Sequence, residues 1–206
     1  NGIPTDACGE VGGDDLNENG YHCGDLQVLQ DIIDANESLT GQNPTDIGYN
    51  QGWDDDGRIL RLDFYNNQLT NIPESIGELS SLEELWLYYN QLTNIPESIG
   101  NLSSLEILNL YENQLTFIPA SICNLPDDCT INVAYNQLCE EYHYECIHEW
   151  ETQDQSNCCD GPNGEPNWTQ ELDDCCVCGG DGSSCLIPGD INGDEILNVV
   201  DIVALV

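Results

Sequence analysis

The chain has no lysine, and Arg58 and Arg61 are its only arginines. Against them stand 39 Asp and Glu, a formal charge of −37 over 206 residues. Nucleic acid is thereby excluded as a partner, because phosphate neutralisation with counterion release needs Lys and Arg. Direct attraction to anionic lipid is disfavoured on the same ground. There is no run of 18 apolar residues, so no membrane insertion is expected. Methionine is absent as well, and a chain opening at Asn1 fits a mature product whose signal peptide has been removed. Self-repulsion at this charge density is tolerable in strong salt, where the screening length falls to roughly 3–8 Å, or with bound divalent cations. The expectation is a saline habitat, calcium, or both.

Cysteine, by contrast, is plentiful. Twelve Cys in a chain of this length point to an oxidising compartment, hence a secreted or cell-surface protein. Cys8 and Cys23 are placed to close a loop. Pairing by proximity joins Cys123 to Cys129, Cys139 to Cys146 and Cys178 to Cys185, short loops that contribute about 2 kcal/mol each in the chain-entropy model. Cys158, Cys159, Cys175 and Cys176 are left to pair among themselves, in an order the sequence does not decide. A zinc reading of Cys175-Cys176-x-Cys178 lacks a second Cys-x-x-Cys, so disulfides are favoured.

The middle of the chain repeats one pattern every 23 residues. Asn67, Asn90, Asn113 and Asn136 mark the register, each followed by Gln and Leu. The second copy reads Leu82-x-x-Leu85-x-Leu87-x-x-Asn90-x-Leu92, and the third repeats it at Leu105, Leu108, Leu110, Asn113 and Leu115. Ile59, Leu62 and Phe64 open the first copy. Ile131 and Val133 close the fourth, whose leading Leu is replaced by Asp128. A period in the twenties is the mark of a stacked solenoid. The pattern resembles the leucine-rich repeat family, here in an extracellular bacterial setting. That resemblance implies an α/β solenoid with a short parallel β-sheet on its concave face, and inward-turned Asn side chains forming a ladder. It also implies recognition rather than catalysis, since such proteins mostly bind other molecules on that face.

Residues 1–24 read as a Cys-closed, Gly/Asp-rich N-terminal loop. Residues 25–57 read as a helical N-terminal cap, with Leu26, Leu29 and Ile33 at helical spacing over 25–39 and Asp25 as its N-cap. Asp54-Asp55-Asp56-Gly57 then turns the chain into the first repeat strand. Residues 58–139 hold the four repeats, whose convex side carries Ile-Pro-Glu-Ser-Ile at 72–76 and 95–99 and Ile-Pro-Ala-Ser-Ile at 118–122. Residues 140–157 read as a C-terminal cap helix, with Tyr142, Cys146 and Trp150 at spacing four. Residues 158–186 form a Cys-rich, Gly/Asp-rich segment that needs disulfides or ions to hold it. Residues 187–206 are a last, distinct motif.

That last motif carries the clearest metal signal. Asp190, Asn192, Asp194, Asn198 and Asp201 fall at loop positions 1, 3, 5, 9 and 12 of an EF-hand-type calcium site, with the carbonyl of Ile196 at position 7. With the apolar start Ile202, Val203, Leu205 and Val206 it resembles the first half of a type I dockerin. Glu195 stands where that family usually has Gly, and no second half follows within these 206 residues. A weaker echo runs through Asp15, Asn17 and Asn19, where an Asx-rich turn is an equal reading. Asp160-Gly161-Pro162-Asn163-Gly164 and Asp181-Gly182 are turns that also offer oxygen ligands.

Strand alternation places Tyr65, Tyr88 and Tyr111 in one column of the concave face, with Asp63, Trp86, Asn109 and Asn132 in the column beside it. Three Tyr rings at the strand spacing of ~4.8 Å form a ladder roughly 10 Å long. Aromatic rings with a polar edge suit a protein or glycan partner. Cross-strand aromatic pairs also stabilise a sheet without any partner. No catalytic set emerges: His22, His143 and His148 are scattered, and carboxylates are too abundant for proximity to single out a pair. The chain is not expected to be an enzyme. Asn36, Asn101 and Asn167 stand in Asn-x-Ser/Thr sequons. Three functions follow, in order: a calcium-stabilised recognition or scaffold protein, a subunit assembling head to tail into extracellular fibres as a homopolymer, and a non-catalytic dockerin-bearing component of an enzyme assembly.

Overall fold

The computed structural model describes residues 16–17, 19–154, 160–161 and 165–166. The chain divides into two units, Asn1–Asp154 and Gln155–Val206.

The first unit is the solenoid. Its strands are β1 (Asn50–Trp53), β2 (Ile59–Asp63), β3 (Glu84–Trp86), β4 (Ile107–Asn109) and β5 (Thr130–Asn132), hydrogen-bonded in that order. β2 to β5 are parallel and in strict repeat register, so Leu62, Leu85, Leu108 and Ile131 lie side by side and are buried. After each strand the chain turns through a left-handed residue at Asn66, Tyr89, Glu112 and Tyr135 (φ 53°, 58°, 48° and 57°). That turn delivers the next residue, the repeated Asn, toward the interior. Asn90, Asn113 and Asn136 are buried there, each donating to carbonyls of its own coil and of the coil before it. Asn67 departs from this expectation. It has no earlier coil to reach, is half-exposed, and donates only to Tyr65 O among the bonds found.

The convex side is built from 3₁₀ turns at Glu74–Glu78, Glu97–Asn101 and Ala120–Asn124. Each follows a Pro with φ −72°, which fixes the entry angle without needing an N–H. Gly100 shows how tightly the coils stack: a Cβ there would stand 2.2 Å from Ser121 O.

On the N-terminal side α1 (Cys23–Ala35) sets Leu26, Val28, Leu29, Ile32 and Ile33 into the core. Asp25 is not its N-cap; His22 holds that position. The Asp25 carboxylate is instead buried, accepting from Arg58 Nε at 3.0 and 3.1 Å and from Ile59 N at 2.8 Å. A buried carboxylate needs such partners, and here Arg58, just before β2, supplies the cation while the first residue of β2 supplies the N–H. The Asp-Gly turn is present, with Gly57 at φ +72° and Asp54 Oδ1 accepting from Asp56 N and Arg58 N. It closes a hairpin, since β1 runs antiparallel to β2 and covers the sheet edge.

The C-terminal side departs most from expectation. Residues 140–157 hold one 3₁₀ turn, Glu140–Tyr142, and no α-helix among those described. The chain beyond it lies beside β5 and the turn that follows: Glu149 N donates to Ile131 O, Val133 N to Glu149 O and Tyr135 N to Thr152 O. An open strand edge must find partners, and this demand outweighs the helical spacing of Tyr142, Cys146 and Trp150. Gln153 takes the place of a further ladder Asn. Its Oε1 accepts from Asn136 N and Leu138 N, and its Nε2 donates to Val133 O and Trp150 O.

One disulfide runs between Cys123 and Cys146, 23 residues apart with Cα atoms 5.5 Å apart. This replaces both Cys123–Cys129 and Cys139–Cys146. In a solenoid, residues one repeat apart are neighbours in space, so proximity along the chain misleads. Cys23 and Cys139 are also disulfide-bonded, while Cys8 and Cys178–Cys185 lie outside the described residues. Cys129 is a free thiol, buried in the core of the fourth coil next to the exposed Asp128. Burial first, and then the Asp128 carboxylate, push its pKa up to about 11. In the second unit the described residues form a short antiparallel pair, β6 (Asp160–Gly161) and β7 (Glu165–Pro166).

Candidate functional site

Pleating sends Leu85 and Leu87 into the core and leaves Glu84, Trp86 and Tyr88 on the sheet's outer surface. Tyr65 and Tyr88 stack with centroids 4.7 Å apart and planes at 24°. Tyr111 does not extend this stack. It pairs with Tyr89 at 5.6 Å and with Tyr135 at 5.1 Å. Tyr89 also meets Tyr65 and Tyr88 edge-on, and Trp86 meets Tyr88 at 5.9 Å. The result is one unbroken band of six rings crossing all four coils, rather than a three-ring ladder.

Tyr89 and Tyr135 are the members that strand alternation missed. Both occupy the left-handed turn, and both are exposed, at 42% and 44%. A signal was present: the first copy has Asn66 at this position, the residue type such a backbone prefers, whereas two copies carry a bulky ring.

Asp63 and Asn109, expected to contact a partner, have a local task. Their Oδ1 atoms accept from Tyr65 N and Tyr111 N two residues on, and Asn132 does the same for Ala134 N. These are Asx turns that stop each strand and aim the following residue. Trp86 breaks that series and brings its indole to the surface, Nε1 donating to Glu84 at 2.8 Å. Arg61 sits over the same ring, 5.7 Å from its centroid, and pairs with Glu84 at 3.1 Å. Burial and the Asp63 carboxylate raise the Tyr88 pKa. At Tyr111, burial among the rings and hydrogen bonding to Glu112 and Tyr89 push the hydroxyl up to about 12. Beside Tyr135 an open cleft of about 270 Å³ is lined also by Gln137, Thr152 and Asp154.

Of the other expected sites, the calcium set Asp190, Asn192, Asp194, Ile196, Asn198 and Asp201 lies outside the described residues. So do the dockerin-like half and the apolar tail on which head-to-tail assembly rests. Asp15 also lies outside them, and Asn17 forms an Asx turn, its Oδ1 accepting from Asn19 N and Tyr21 N. Asn36, the first sequon residue, lies inside the fold. The side chain is 1% exposed, donates to Ile32 O and Asn71 O, and accepts from Thr70 N and Asn71 N. Asn101 is exposed; Asn167 lies outside the described residues. Among the described residues no helix is long and apolar enough to cross a membrane.

Residues 58–100 and 80–126 match the family model described as leucine-rich repeats (2 copies). No curated protein matches the chain. Among solved structures, a leucine-rich repeat protein of Leptospira interrogans is 39% identical over 40% of this chain and 21% of its own, with a TM-score of 0.36. The PEPR1–AtPEP1 structure is 44% identical over 38% of this chain and 12% of its own (TM-score 0.35). The leucine-rich repeat ectodomain of the receptor kinase SOBIR1 from Arabidopsis thaliana is 22% identical over 65% and 94%, with a TM-score of 0.39. This chain thus spans about a fifth of the Leptospira protein and less of PEPR1–AtPEP1.

Proposed function

We propose that this leucine-rich repeat chain is an extracellular recognition module that holds a protein or glycan partner on its aromatic band. The observation that carries the reading is the band itself. Six contiguous rings lie outside a core already filled by Leu and Ile, and Tyr65, Tyr89 and Tyr135 remain 40–44% exposed. Large rigid rings with polar edges give contact area at little entropic cost, which is why such residues dominate binding hot spots. The hydrophobic effect inside the protein does not need them there. Among the described residues, α1 packs at one end of the stack and the Gln153 segment at the other.

The test is binding to peptide and glycan arrays by the native chain and by a Trp86→Ala/Tyr88→Ala double variant. Retained helix and sheet signal by circular dichroism with lost array binding supports the reading. Undiminished binding by the double variant removes the face from consideration.

Calcium belongs to the same proposal. Asp190, Asn192, Asp194, Asn198 and Asp201, with the Ile196 carbonyl, supply the hard oxygen ligands that calcium requires. Bound there, the ion neutralises a local cluster of like charge. Titration calorimetry checks it, with Asp190→Ala abolishing the heat. Secretion into an oxidising compartment accords with the Cys123–Cys146 bond.

A further inference from the structure

The charge around the aromatic band narrows what it takes. Both Arg of the chain are committed: Arg58 to Asp25 at 3.0 Å and Arg61 to Glu84 at 3.1 Å. With no Lys and no third Arg, the chain has no further strongly basic side chain to place on the band. Yet carboxylates stand along the band: Glu84 on the Trp86 indole, Glu112 on the Tyr111 hydroxyl, Glu149 on the Asn132 amide and Asp154 in the cleft beside Tyr135.

At one end the molecule shows how a cation fits this surface. Arg61 lies over the Trp86 ring while its guanidinium pairs with Glu84, an aromatic face and a carboxylate holding one planar cation. The register positions that follow Arg61 are Glu84, Ile107 and Thr130, so no later coil repeats the internal cation. Tyr89, Tyr111 and Tyr135, with Glu112 among them, have the rings and the charge without it.

Resting on the recognition reading above, we propose that the band binds an extended, arginine-bearing polypeptide segment, whose guanidinium groups lie on Tyr89 and Tyr135 and pair with the adjoining carboxylates. The dimensions agree. Tyr65 to Tyr135 spans three coil spacings, roughly 14 Å, and an extended chain places alternate side chains about 6.8 Å apart, so two or three arginines on one face cover the band. A net charge of −37 adds attraction for a basic segment at long range and repels anionic polymers.

Fluorescence anisotropy with a labelled peptide of about eight residues alternating Arg and Gly tests this, alongside matched Lys/Gly and Glu/Gly peptides and the neutral sugar cellohexaose. The variants are Tyr89→Asn and Tyr135→Asn, which place at these left-handed positions the residue that the first coil already carries at Asn66. Each is expected to weaken Arg/Gly binding about two- to fivefold and the pair about tenfold. Glu112→Gln weakens it about threefold, whereas Glu37→Gln, the same charge change on an exposed turn after α1, leaves it within a factor of two. Lys/Gly binds more weakly than Arg/Gly, because an ammonium lacks the planar fork that lies flat on a ring while pairing bidentately with a carboxylate. Equal binding by the double Tyr variant, or equal effects of Glu112→Gln and Glu37→Gln, overturns the inference by showing diffuse attraction. Cellohexaose binding that depends on Tyr89 while Arg/Gly fails to bind overturns it too, yet leaves the recognition reading standing. Failure of all four probes rejects it outright.

Discussion

Replacing Asn113 by Ala should destabilise the solenoid by about 2–6 kcal/mol, and the figure can be built bond by bond. Asn113 Oδ1 is the acceptor found for Leu92 N, at 3.1 Å in the buried interior. Losing it orphans a buried donor, which costs about 1–3 kcal/mol. Asn113 Nδ2 donates to Leu87 O at 2.9 Å and Leu110 O at 3.1 Å. Those carbonyls are shared, since Asn90 also reaches Leu87 O and Asn136 also reaches Leu110 O. Each therefore loses one bond and keeps one, at about 0.5–1.5 kcal/mol apiece. Asn67→Ala is the internal control. Its amide bonds to Tyr65 O at the surface, so its loss should cost less than about 1 kcal/mol. Urea unfolding followed by circular dichroism measures both, with the slope m checked for constancy. Equal destabilisation by the two changes would refute the view that the ladder holds the coils together.

Gly100→Ala should destabilise by more than about 2 kcal/mol in the same assay, because its Cβ would meet Ser121 O at 2.2 Å. Gln153→Ala should loosen the last coil first, seen as faster amide exchange at Asn136 and Leu138 than at Leu92. Cys129 should resist alkylation in the folded chain at pH 8, with its thiol pushed up to about 11, and react promptly in urea when mapped by mass spectrometry. Both Cys129 and Tyr111 are raised on folding. Their contribution is therefore whole below the ordinary values of 9.0 and 10.0 and is lost as pH climbs through about 11 and about 12. Alkaline unfolding over that window, followed by tyrosinate absorbance, checks the sign.

The repeats were legible because each coil states its core in the same letters. Leucines at fixed offsets, the inward Asn and the Pro before each convex turn all follow from the 23-residue period, and the parallel strands sit where that period puts them. The same period held the disulfide, since Cys123 and Cys146 are one repeat apart, but sequence neighbours looked closer than stack neighbours. The C-terminal closure was hidden for another reason. Gln153 follows Asn136 by 17 residues, off the period and with a longer side chain, so nothing in the pattern marks it as the ladder's last rung. In the band, strand parity located Tyr65, Tyr88, Tyr111 and Trp86. It is blind to Tyr89 and Tyr135, which a left-handed turn swings onto the same surface. Asp63 and Asn109 looked free on parity alone, but short acidic and amide side chains readily fold back onto the next backbone N–H.

The most direct test of the band as the recognition surface is hydroxyl-radical footprinting of the chain with and without its strongest array ligand. Protection concentrated at Tyr65, Tyr89 and Tyr135, with Phe117 and Tyr142 unchanged, is the predicted result. Those last two rings pack against each other apart from the band and serve as the built-in reference. Protection at Phe117 and Tyr142 with the band still reactive would contradict the account.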